Sequence, residues 1–373
     1  MSDGPDGAGR DMAPAVGSRG GPAGYRRAVE GATVALARRA WGDARWSFLY
    51  RSDTSYAVEQ PEEGEVAGAA RRMRGGDLPD VVQGPMVKPP VWTWEVPLYF
   101  WFGGIASGSA FAALASDLAG DGRSAAILRK VTVAAFLPCP PLLVADLGRP
   151  ARFLNMLRIF KPRSPMSMGA WSLTLFGNLA TGAVAADLLA RPRAARALGG
   201  GAAVVGTYLG SYTGVLLATT TVPVWARSRT FLGPIFMATA TATGAAAGSL
   251  TLAAAGVPPG HPTRRALGAV EVVAMASELA LSAVNERRLG SLAAGLEEGP
   301  SGRLFRAAKL TARTGLLLRA LRRPLGPRSE HAAGVLFLAA GLAFRYAWAG
   351  AGKPSAADDE GVARMARGTR PEP

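Results

Sequence analysis

Long, mostly charge-free apolar runs alternate along this chain with short basic connections, and that alternation predicts most of the architecture. A bilayer core takes roughly 20 predominantly apolar residues per helix. Runs at Val96–Leu118, Val131–Asp146, Ala170–Leu189, Gly200–Val222, Leu232–Ala255, Leu267–Val284 and Ala332–Trp348 read as such spans. One further segment, Leu304–Leu321, carries Arg306, Lys309, Arg313 and Arg319, and reads either as a span or as a helix lying in the interface. The expected fold is an all-α integral membrane protein, an eight-helix transmembrane bundle over residues 91–350. Residues 1–90, rich in Gly, Pro and charge with no sustained apolar period, are expected to form an extramembrane tail with one amphipathic stretch near Tyr25–Arg51. Residues 351–373 are expected to form a polar C-terminal tail.

Composition supports this class. Of 373 residues, 49% are hydrophobic and only 18% charged, against roughly 25% charged in soluble domains. The net charge of +15 is carried mostly by Arg and Lys between the apolar runs, where lipid headgroups account for it. No zinc-finger spacing or aromatic-basic strand pattern points to nucleic acid. Basic residues are shared so evenly between alternate loops that they do not fix the orientation in the membrane.

The small residues and prolines inside the spans carry packing information. Gly104 and Gly108 share one face of the first span, and Gly206, Gly210 and Gly214 repeat the spacing in the fourth, a pattern that lets backbones approach closely. Pro138, Pro140 and Pro141 are expected to kink the second span.

Redox ligands are scarce. The single cysteine, Cys139, cannot hold an iron–sulfur cluster, which takes four thiolates, and His261 and His331 sit at the ends of apolar runs rather than inside them. Neither a haem nor a cluster is expected in this chain. An electron-transfer role would therefore use a diffusible cofactor or a partner's metals.

Carboxylates at membrane depth are costly and become functional candidates by default. Glu271 and Glu278, seven apart, share a face of the sixth span that Asn285 continues. This stripe reads as a proton path or as a pair bonded to neighbouring helices. Tyr99 in the first span, with Tyr208 and Tyr212 in the fourth, read as interfacial belt residues or as hydrogen-bond donors to a ligand carbonyl. Asp146–Phe153, DLGRPARF, turns the chain at Gly148 and Pro150 and presents Arg149 and Arg152 beside Asp146, while SPMSMGAWSL follows at Ser164–Leu173.

Four stretches together carry a resemblance: KPPVWTWEVPLYFWFGGIASGSAF at 88–111, DLGRPARF, SPMSMGAWSL, and FRYAWAGAGKPSAADD at 344–359. In this combination and order the chain resembles the NrfD/PsrC family, membrane subunits of bacterial molybdenum and iron–sulfur oxidoreductases. The resemblance implies a haem-free bundle in the bacterial cytoplasmic membrane. Its role would be to pass electrons between the quinone pool, menaquinone or ubiquinone, and a ferredoxin-like 4Fe-4S subunit, with a molybdopterin or other catalytic subunit beyond it. It places Tyr99 and Tyr212 at the quinone site with Asp146 close by, whereas Val96 stands where some relatives carry asparagine. In the expected mechanism Asp146, aided by Arg149, exchanges the proton that accompanies each electron, and Glu271 and Glu278 connect the site to the other side. Two other readings of the same residues are a proton-conducting or transporter-type protein without a redox partner, and a structural anchor without quinone chemistry.

Overall fold

The connections carry the chemistry that starts and stops each helix. In the computed structural model, which describes residues 87–146 and 155–366, α1 covers Glu95–Leu118 and turns at Gly120, whose φ of +79° suits a residue without a side chain. Asp121 then caps α2 (Gly122–Phe136) by accepting from the Ser124 amide. The helix breaks at Pro138 and resumes as α3 (Cys139–Asp146), the kink expected from the proline cluster. Ser164 caps α4 (Pro165–Leu188), and His261 caps α8 (Pro262–Leu289), each with proline in the first turn. Between them lie α5 (Pro192–Ala218), the short α6 (Pro223–Arg227) and α7 (Arg229–Ala254). The chain ends in α9 (Gly299–Ala320), α10 (Pro327–Ala357) and α11 (Asp359–Ala366).

No strand occurs among the described residues. Six segments are long and apolar enough to cross a membrane: Glu95–Leu118, Gly122–Asp146, Pro192–Ala218, Arg229–Ala254, Pro262–Glu297 and Pro327–Ala357. The other two expected spans, α4 and α9, are helices of 24 and 22 residues that fall outside that set. Asn178 among Gly and Thr residues lowers the hydropathy of α4, and the arginines do the same in α9.

Helices begin earlier than their apolar runs. The second span starts at Gly122 rather than Val131, and the fourth at Pro192 rather than Gly200, because polar first turns, begun by the Asp121 cap in one and by proline in the other, precede the apolar runs. At the other terminus α10 runs to Ala357 and α11 follows, so the described part of the expected C-terminal tail, residues 351–366, is largely helical. The expected N-terminal tail up to residue 86, with its amphipathic stretch at Tyr25–Arg51, and loop residues 147–154 with Arg149 and Arg152 lie outside the described residues.

Packing divides the bundle into two sets of four. Helix α1 pairs with α2 and α4 with α5, while α7 pairs with α8 and α9 with α10. Helices α1 and α7 pack on each other and on both sets, and they are the most buried spans. At their crossing a Cβ on Gly244 would overlap the backbone of Gly108 and Ser109, and a Cβ on Gly108 would meet the Ala240 carbonyl. Gly210 packs on Ser107 of α1, and Gly214 approaches the Leu232 carbonyl of α7. The small-residue faces thus serve close helix contact, as their spacing implies. The bundle has a near end, where α1 begins and α3 finishes, and a far end, where α1 finishes and α2 begins.

Candidate functional site

At the near end, three helices bring together residues far apart in sequence. Tyr99 projects from the second turn of α1 and is buried, within electrostatic reach of Tyr212 on α5 and Cys139 on α3. Tyr212 is equally buried, with its ring tilted against Tyr208 at 5.6 Å. The Tyr212 phenol occupies the space a side chain would fill at Gly169 of α4, since a Cβ there would overlap Cζ and the hydroxyl. Neither the Tyr99 nor the Tyr212 hydroxyl makes a hydrogen bond among the described residues. Hydroxyls on two buried tyrosines that bond no described residue fit a ligand that offers carbonyl oxygens.

Asp146 ends α3 and faces Glu95, the first residue of α1. Glu95 is 2% exposed and accepts a hydrogen bond from Thr93. Tyr346 of α10 lies near Glu95 and donates to the Trp94 carbonyl at 2.9 Å. The site floor is aromatic: Tyr99 borders Phe100, Trp92 meets Phe100 edge-on, and Trp92 stacks on Trp225 at 5.3 Å. Trp225 is fixed by donating Nε1–H to the Trp348 carbonyl at 2.9 Å. Of the expected site, Tyr99 and Tyr212 converge here, Asp146 borders it beside Glu95, and Arg149 falls outside the described residues. Val96 is buried and offers no polar atom on its side chain.

The two glutamates of α8 lie in the other set of helices. Glu271 is buried, and its carboxylate stands 3.2 Å from Arg319 Nη2 of α9. Arg319 in turn lies 3.6 Å from Glu330 of α10, which Arg264 approaches to 3.8 Å. His331 stands 3.2 Å from Arg264 at this far end. Glu278, also buried, accepts from Ser282 Oγ at 2.9 Å and borders a water-sized cavity shared with Lys309, Thr239 and Met275. Nearer the near end, Lys309 pairs with Glu286 at 2.6 Å, and Asn285 donates to Ser228 Oγ at 2.9 Å. Between Glu271 and Glu278 the helix rises about 10 Å, too far for direct proton exchange.

Arg345 of α10 joins the two sets. It is fully enclosed, donates to the Phe236 carbonyl at 3.0 Å, and sits 3.9 Å above the Phe236 ring. Gly104 of α1 leaves the room for its Nη2 group, and Glu278 is within electrostatic reach on the other side.

Glu95, Arg345 and Arg129 are buried charges at or near membrane depth that are not among the expected site residues. Arg345 was detectable by the same rule that singled out the glutamates, a charge within an apolar run. Glu95 was not, because an acid at a helix start ordinarily reads as a favourable first-turn charge.

Curated proteins give no match to this sequence. The family model described as polysulphide reductase, NrfD, matches residues 84–284, which takes in the near-end helices α1 to α5, the glycine crossing of α1 with α7, and both glutamates of α8. With that match over more than half its length and six helices suited to crossing a bilayer, the chain is a multi-pass membrane protein that belongs to the NrfD family.

Proposed function

We propose that this chain is the membrane anchor and quinone-interacting subunit of an oxidoreductase complex in the bacterial cytoplasmic membrane, with eight helices, α4 and α9 included, crossing the bilayer. It passes electrons between the quinone pool, as menaquinone or ubiquinone, and a ferredoxin-like 4Fe-4S subunit that serves a molybdopterin or other catalytic subunit. The observation that carries this reading is the near-end convergence of two buried tyrosines, whose hydroxyls bond no described residue, beside the Asp146–Glu95 carboxylate pair.

The quinone supplies the two-electron, two-proton chemistry. Tyr99 and Tyr212 hold the head group by donating to its oxygens, and the Phe100 and Trp92 rings close off the apolar side. Asp146 accepts or returns the proton at its carboxylate, with Glu95 beside it as the second oxygen-bearing group on the way to the near-end surface. The iron–sulfur partner docks over the DLGRPARF loop, where Arg149 meets its acidic surface. Glu271, Glu278, Arg345 and the Lys309–Glu286 pair provide proton-exchanging and charge-balancing groups in the second helix set, with water required across the gap between the two glutamates.

The decisive experiment is Tyr212→Phe in the complex purified from native membranes. A fall in quinol-dependent turnover and in quinone-site inhibitor affinity, with the partner subunits retained, is expected. Unchanged values for both would remove Tyr212 from the site and leave the anchor role without quinone chemistry.

A further inference from the structure

Near its middle, helix α9 carries a charge that has no partner among the described residues. Arg313 is exposed on its outer face, between Leu310 and Leu317, which are 67% and 58% exposed. Its depth follows from the helix beside it. Phe305 packs on Phe344 and Trp348, a side chain at Gly315 would meet Phe337, and Arg319 reaches Glu330, so α9 runs antiparallel to α10 along its length. In that register Arg313 is level with the middle of α10, a span of 31 residues.

A lone arginine facing hydrocarbon at that depth costs roughly 2.5–3.5 kcal/mol on insertion scales. Escape to the headgroups is unfavourable in both directions. Ala320, at the far end of α9, is about 10 Å away along the helix, but side chains lean toward the helix N-terminus and so away from that end. Gly299, at the near end, is about 21 Å away.

Among the described residues no acid near its level remains for it. Glu286 is taken by Lys309, and Glu330 by Arg264, Arg319 and Arg322. Among the described residues no exposed carboxylate lies in a spanning segment at this level, Glu297 standing at the near end of its segment, so a second copy of this chain offers no counter-charge level with Arg313 either. By contrast, Asn178, an exposed polar residue of α4, satisfies itself by donating to the Thr174 carbonyl.

Beside α9 the lipid-facing side of α8 is lined by Ala269, Val273, Ala276 and Ala280. Helix α9 packs chiefly on α10 and only lightly on α8, which leaves this small-residue face open to a close-packed neighbour. Building on the reading of α9 as a span, we infer that the α8–α9 face seats a transmembrane helix of a partner subunit, with an Asp or Glu level with Arg313. A carboxylate there would form a buried ion pair, and the adjacent alanines would let the helix approach.

The test places a photo-crosslinking amino acid at Leu310 or Leu317 in cells producing the whole complex, and maps the adduct by mass spectrometry. The expected adduct is an apolar partner helix containing Asp or Glu. Arg313→Glu should then lower recovery of that subunit about tenfold or more, and reversing the partner's acid to Arg should restore it. Adducts to lipid alone, to a second copy, or to a helix without an acid would each overturn the inference, as would an Arg313→Glu variant that keeps its partner. In the same cells, single cysteines at Glu298 and Arg323 report the spanning reading through a membrane-impermeant thiol reagent. Labelling of both from one side refutes α9 as a span, a failure distinct from loss of the partner.

Discussion

The Tyr212 phenol lies against the backbone of Gly169, in the space that any side chain at that position would take. The contact crosses from α5 to α4 and fixes the depth at which the hydroxyl meets the space beside Tyr99. Gly169→Ala therefore has to push the ring aside. Forcing a methyl into a packed site costs about 1–3 kcal/mol, and most of that strain falls on the tyrosine. Quinol-dependent turnover is expected to drop about tenfold, with partner subunits still bound. A Gly169→Ala complex with unchanged turnover would show that the position of Tyr212 is not critical.

Glu278 should separate electron transfer from proton movement. It borders the water-sized cavity of the second helix set, away from the tyrosines. In proteoliposomes Glu278→Gln is expected to keep quinol turnover and lose proton displacement. Full proton displacement in the variant would reduce Glu278 to a structural hydrogen-bond acceptor for Ser282.

Arg129 is a structural clamp at the far end. It meets Asp117 of α1 at 2.5 Å and forks onto Asp187 of α4 at 2.6 and 2.8 Å, with almost no exposure. Removing one member leaves uncompensated buried charge, so Arg129→Ala should cost about 3–5 kcal/mol in detergent-solubilised unfolding. Replacing all three charges with apolar residues of similar volume should cost less than the single change. An equal or larger loss in the triple variant would contradict that account.

Asp121 gives the far-end connection a pH dependence with a defined sign. Burial works to raise its pKa, but hydrogen bonds from Ser124 and Thr263, with the nearby His261, outweigh it and hold the carboxyl below its usual 3.8. A depressed folded-state pKa means the stabilisation is complete above that ordinary value and is lost as pH falls through the lowered one. Thermal unfolding of wild type against Asp121→Asn should differ above pH 3.8 and converge as pH falls through the lowered pKa. The cap itself contributes about 0.5–2 kcal/mol. Parallel curves across the whole range would remove the pH dependence from Asp121.

Much of the fold was legible because it is local. Pro138 breaks the second span wherever that span packs, and the Gly104–Gly108 and Gly206–Gly210–Gly214 faces lie against other helices as their spacing implies. Helix starts are less legible where a polar first turn precedes the apolar run, as at the Asp121-capped Gly122 and at Pro192. The candidate site was legible only in part. Tyr99, Tyr212 and Asp146 stand out as polar groups in or beside apolar runs, and their grouping at one site came from the resemblance, whereas Glu95, Arg345 and the clamp on Arg129 needed the neighbours of each charge.

Membrane class, most spans, the kink and the close-packing faces were determined by the sequence itself, since hydropathy and backbone geometry belong to each stretch independently. The tertiary structure alone decided that Gly169 makes room for Tyr212, that Arg345 bridges α1, α7 and α10, and that Arg129 finds Asp187 58 positions away. Such pairings depend on the depth and rotation of each helix, which are set by packing against its neighbours rather than by its own residues.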